Sequence, residues 1–261
     1  MASVDTTSPH SNTIIQETAY ADLYSLLMTL LQTPTQQLFA GLETGTIRED
    51  LIEIFEELDW DNPETGLILD SLSATQQNIA HSTYSFSDMR SEHTRLFAHP
   101  RKPAIALFEG VFLEKSKASG SSDVLKDMHN SSSSAKLMGM DSGSLLFINR
   151  AALDAERCYR KAGLQRVEEV NVPADCMTTE MEFMHYLHFE MASALQRDDV
   201  ERLSELKDSM EEFSRIHLKK WMRGFYDALC QESMNGVYHA TGLLGTLLSN
   251  VELSCIDSAM G

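Results

Sequence analysis

Glu182-Phe183-Met184-His185 sets a carboxylate and an imidazole three residues apart, and on a helix that spacing turns both toward one side. In some helical bundles, two such E-x-x-H elements and two further glutamates on facing helices hold a pair of iron ions. Here no second E-x-x-H exists to complete the set. His188 and Cys176 lie nearby, but Cys176 is nine residues from His185, so the three do not share one continuous helical face. Packing or surface roles suit these residues equally well. The phosphate-cradling, dinucleotide, nucleophile-elbow and zinc-protease motifs are all absent. Carboxylates are abundant, but abundance carries no geometry, and no pair stands out as an acid/base couple. The expectation is a protein with no catalytic residues, no metal and no resident cofactor. The alternative is a helical metal- or cofactor-binding enzyme centred on Glu182 and His185.

A formal net charge of −18 over 261 residues argues against nucleic acid as a partner, because phosphates call for clustered Lys and Arg. It fits a basic partner, and it equally serves solubility. The four cysteines, Cys158, Cys176, Cys230 and Cys255, form no C-x-x-C pair, which points to free thiols in a reducing compartment. The first residues are polar with no basic start, and no apolar run approaches the roughly 20 residues of a membrane span. A cytoplasmic protein that does not insert into a membrane is expected.

Helical spacing dominates the elements that must position these groups. Tyr20, Leu23, Leu27 and Leu30 or Leu31 mark one face of a first helix. Thr33-Pro34-Thr35-Gln36 and Thr46 with Glu49 read as helix starts, and Trp60-Asp61-Asn62-Pro63 as a break. Leu72, Ile79, Phe86 and His93 recur at heptad spacing, as one helix or as two with a fresh start at Ser85 and Asp88. Ala104–Leu113 reads as a short apolar helix, and Gly163 as the end of another begun at Ala151. Pro173-Ala174-Asp175 opens the next, and Asp198 or Asp199 caps a long amphipathic successor bearing Leu203, Leu206, Met210, Phe213, His217, Trp221, Phe225 and Leu229. Asn235-Gly236 then precedes a last helix.

The pattern predicts an all-α fold, a single helical domain of about eight to ten helices in two halves. Its expected divisions are a disordered arm at 1–13, a helical half at 14–115, a flexible Ser-rich linker at 116–145, a second half at 146–254 and a tail at 255–261. Ten serines fall between residues 116 and 144.

Met177, Met181, Met184 and Met191 fall along one side of the 177–195 helix. They suit plain core packing, or a groove that accepts apolar segments of variable shape. Leu96-Phe97 raises a parallel question. The pair stands where a helix meets Pro100 and Pro103, either as a buried corner or at the rim of a binding site.

Glu92-His93-Thr94-Arg95-Leu96-Phe97, followed by Pro100, Pro103 and Phe108-Glu109-Gly110-Val111-Phe112, resembles the signature of the TorD/DmsD/NarJ chaperones. Pro173-Ala174-Asp175-Cys176 is similar to that family's Pro-x-Asp-His helix start, and Phe213, His217, Trp221 and Phe225 to its Phe-x-x-x-His-x-x-x-Trp helix. The motifs follow the family's order and span most of the chain. The resemblance implies a cytoplasmic, non-catalytic chaperone for one molybdopterin-containing oxidoreductase. Its partner would be the apo-form catalytic subunit or its twin-arginine signal peptide, held by a monomer or homodimer until the cofactor is inserted.

The peptide-binding set implied is His93, Leu96, Phe97, Pro100, Pro103, Phe108, Glu109, Pro173, Asp175, Cys176, Met177, Met181 and Met184. Three positions depart from the family pattern: His93 where an aromatic is usual, Gly110 where serine is common, and Cys176 in place of histidine. Asp175 has two candidate roles, capping its own helix and meeting the peptide.

Overall fold

The computed structural model describes residues 9–120, 149–165, 172–234 and 236–259. Its helices run in chain order α1 (Pro9–Leu31), α2 (Gln36–Thr44), α3 (Thr46–Glu57), α4 (Pro63–Ala80), α5 (Phe86–His93), α6 (Glu109–Gly120), α7 (Arg150–Lys161), α8 (Met177–Gln196), α9 (Val200–Phe213), α10 (Lys219–Glu232) and α11 (Gly236–Ala259). Two π-helical turns, Thr94–Ala98 after α5 and Ser214–Leu218 between α9 and α10, each add a residue to a helical turn. The fold is all-α, as the periodicity predicts. Among the described residues no helix is long and apolar enough to cross a membrane.

Local chemistry explains most boundaries. Ser85 and Asp88 form the expected capping box, so the heptad run is two helices. Asn62 caps α4 with Pro63 at its first turn, and Asp199 caps α9. Gly163, at φ +90°, takes the left-handed turn just past α7.

Several starts differ from expectation. α2 is capped by Thr35, whose side chain accepts the Leu38 N–H, rather than by Thr33. Thr46 lies inside α3, whose cap position is Gly45. α1 already includes residues 9–13, and α6 begins at Glu109, five residues beyond Ala104. Residues 104–108 are not free to start a helix, because Ala104 N–H and Ile105 N–H donate to the carbonyls of Arg95 and Leu96. The two prolines thus fold the chain back to satisfy the open end of the preceding π turn. The linker expected at 116–145 begins on α6 and otherwise lies mainly outside the described residues, and the tail expected at 255–261 begins on α11.

The two stretches expected as halves share one core. α1 lies along α8, and α11 packs on both α10 and α4. The α1–α8 seam buries Leu23, Tyr24 and Leu27 with Met184, Leu187 and Met191, each such side chain contributing roughly 1.5–3 kcal/mol. Polar groups fix its register. His185 Nδ1–H donates to Ala21 O at 2.8 Å, and His188, between Tyr20 and Tyr24, meets Glu17 at 2.7 Å.

Candidate functional site

The segment after the prolines and the segment before α8 cap each other's helices. Phe108 and Cys176 pair as an antiparallel bridge. Met177 N–H, one of the orphan donors at the start of α8, reaches Leu107 O at 2.8 Å. Glu109 N–H donates to Asp175 O at 2.9 Å, and Gly110 N–H to Asp175 Oδ2 at 3.2 Å. The Asn149 side-chain amide donates to the same carboxylate oxygen. Asp175 is therefore a cap, but of α6 rather than of its own helix. The cap position of α8 belongs to Cys176, whose side chain makes no capping bond. Tyr159 O–H closes the junction by donating to Ala174 O at 2.7 Å.

Immediately inward lies a buried polar array. His217 Nδ1–H donates to Glu109 Oε2 at 2.7 Å, both side chains almost fully enclosed. Trp221 Nε1–H donates to Glu180 Oε2 at 3.0 Å. Burial first, and then the nearby Glu109 charge, push the Glu180 carboxyl well above the usual carboxylate range, with the Trp221 N–H acting the other way. Its surroundings thus favour the protonated form of Glu180 beside the Glu109–His217 pair. The π turn supplies part of the geometry, since Ser214–Leu218 rotates His217 into line with Glu109 one turn before Trp221 meets Glu180.

Glu109, Glu180 and His217 bring their ligand atoms within 4.8 Å of one another, the geometry that could hold a divalent cation. Glu180 Oε1 and His217 Nε2 are buried with no hydrogen-bond partner among the described residues. The E-x-x-H of the sequence builds nothing comparable, because Glu182 faces solvent and His185 is engaged by Ala21 O.

The residues expected at a peptide groove are brought together, but mostly underground. Leu96, Asp175, Met177, Met181 and Met184 are fully buried, and His93, Phe97, Glu109 and Cys176 nearly so. Phe97 stacks on Phe225 and meets His93 and Tyr238 edge-on, which is the packing of a corner. Pro103 and Phe108 are partly exposed, and Pro100 and Pro173 lie at the surface. Glu180 was not singled out in the sequence, and His217 and Trp221 stood there as members of an amphipathic helix and of the family-like motif. The signal available was that a carboxylate, an imidazole and an indole N–H all sit on apolar faces, and each needs a partner when buried.

A family model described as nitrate reductase delta subunit matches residues 62–227, more than half of the chain. The chain belongs to the nitrate reductase delta subunit family. The match runs from the start of α4 into α10, so it takes in every residue of the capped junction and the buried array. Membership supports a chaperone role in molybdoenzyme maturation. No curated protein matches the chain.

Proposed function

We propose that this delta-family protein is a cytoplasmic, non-catalytic chaperone for a molybdopterin-containing oxidoreductase. It binds the twin-arginine signal peptide or another part of the immature catalytic subunit until the cofactor is in place. The observation that carries the reading is the family match over residues 62–227, the stretch whose distant motifs hydrogen-bond to one another in one buried junction. Two physical terms suit such a client. The −18 charge draws in the basic head of a leader by long-range attraction, which salt weakens. Apolar contact stabilises the rest by about 25 cal/mol for each Å² taken out of water. In this reading Leu96, Phe97 and the α8 methionines hold the binding surface in shape, and the exposed prolines and Phe108 lie nearest to a bound chain.

Calorimetric titration with a synthetic twin-arginine leader peptide tests the reading. Binding that weakens as salt rises supports it, and no binding at low salt contradicts the leader as client element.

A further inference from the structure

The buried array holds two polar atoms that the fold itself does not use. Glu109, Glu180 and His217 are 2%, 0% and 1% exposed. His217 meets Glu109 through Nδ1–H, so in the neutral ring Nε2 carries a lone pair. Nothing among the described residues hydrogen-bonds to that nitrogen. Trp221 N–H meets Glu180 at Oε2, which leaves Oε1 buried and equally unpartnered. Buried polar atoms are nearly always paired, so two such acceptors in one cluster point to a bound group.

Charge gives the sign of that group. Two carboxylates and an imidazole converge here, each offering one ligand atom within 4.8 Å of the others. The carboxylates come from α6 and α8 and the imidazole from the π turn before α10, so the cluster spans three elements. Burial and the Glu109 charge already set the Glu180 carboxyl against ionisation. A divalent cation removes that conflict by offsetting both carboxylates at once. The donors also narrow the choice of ion. Mg²⁺ and Ca²⁺ favour shells of about six or more oxygens, whereas imidazole with carboxylates suits Zn²⁺, Mn²⁺ or Fe²⁺. Metal-bound histidines commonly give their other N–H to a carboxylate, which fixes the ring and its tautomer. His217 already has that bond.

We propose that Glu109, Glu180 and His217 are the binding site for one divalent transition-metal ion, with Zn²⁺ the best fit, which clamps α6, α8 and the π turn to one another. The ion serves the fold rather than a reaction, because all three side chains are closed off from solvent. This inference stands apart from the chaperone reading and uses none of the client's chemistry.

Calorimetric titration of Zn²⁺ into the chelator-treated full chain tests it, beside Glu180→Gln, which keeps an acceptor for Trp221 N–H and removes a ligand charge. The site predicts one Zn²⁺ per chain in the wild type and a higher unfolding temperature with the ion bound. It predicts affinity weaker by roughly tenfold or more in Glu180→Gln. Co²⁺ supplies a local reading. Trp60 and Trp221 are the two tryptophans of the chain, so in Trp60→Phe quenching by Co²⁺ reports on the indole bonded to Glu180. Quenching complete at one equivalent supports the site even if Glu180→Gln fails to fold. No stoichiometric Zn²⁺ in the wild type, or an unquenched Trp221, overturns it. Equal affinity in a folded Glu180→Gln also overturns it and moves the ion to exposed groups such as His10 beside Asp198.

Discussion

Glu109 and His217 stand 108 positions apart in sequence and 2.7 Å apart in the fold, joined by a hydrogen bond from which solvent is excluded. The bond ties the first turn of α6 to the π turn between α9 and α10. Removing one partner strands the other in the interior. His217→Ala is therefore expected to cost on the order of 3–5 kcal/mol, and Glu109→Gln, which keeps an acceptor, less. Urea unfolding followed by circular dichroism checks this, and a His217→Ala loss under about 0.5 kcal/mol contradicts it.

Glu180 gives a pH signature with a definite sign. Its carboxyl is raised in the folded state, so the folded protein holds a proton that the unfolded chain gives up. That contribution is complete below the ordinary carboxylate range near 4.5 and fades as pH rises through the raised value. Glu180→Gln keeps an acceptor for Trp221 N–H and removes the titration. With metal chelated, its stability is expected to equal or exceed wild type at neutral pH. A large loss there would contradict the raised carboxyl, whereas stabilisation by an added divalent cation in the wild type alone would make Glu180 a metal ligand.

His93 acts in the opposite direction. Burial, opposed by its hydrogen bond to Leu31 O, lowers its proton affinity below the usual 6.5. The neutral ring is the folded form, so its contribution is present above pH 6.5 and lost as pH falls through the depressed value. Comparing stability from pH 7 downward in wild type and His93→Phe is expected to show a steeper acid loss in the wild type, by up to about 1.4 kcal/mol per pH unit.

Much of this was legible in advance, for identifiable reasons. Ser85 with Asp88 and Asp199 work locally, so these caps could be placed from neighbours in sequence, while Asn62-Pro63, read as a break, also caps α4. The threes-and-fours pattern from Leu203 to Leu229 gave the helix but not the π turn within it, because one added residue barely disturbs an apolar stripe. Of the two roles open to Asp175, capping its own helix or meeting a peptide, the first differs from the fold in that the helix it caps is α6. Its sequence context permits capping of α8, and only the fold brings Gly110 N–H to it across 65 positions. The burial of Leu96 and Phe97 turned on where the chain goes after Pro103, and local periodicity carries no record of that.

The corner itself is open to a direct check. Leu96 is fully enclosed, and truncation to Ala leaves a cavity expected to cost about 2–5 kcal/mol. A variant that unfolds at wild-type denaturant concentration would show that the side chain is not part of the core.

The central claim is best tested with the catalytic subunit of a molybdopterin oxidoreductase from the same organism, prepared with and without its cofactor, by measuring the affinity of this protein for each. The account predicts tight association with the cofactor-free subunit and release once the cofactor is loaded. Equal affinity for the two forms, or association with neither, would contradict it.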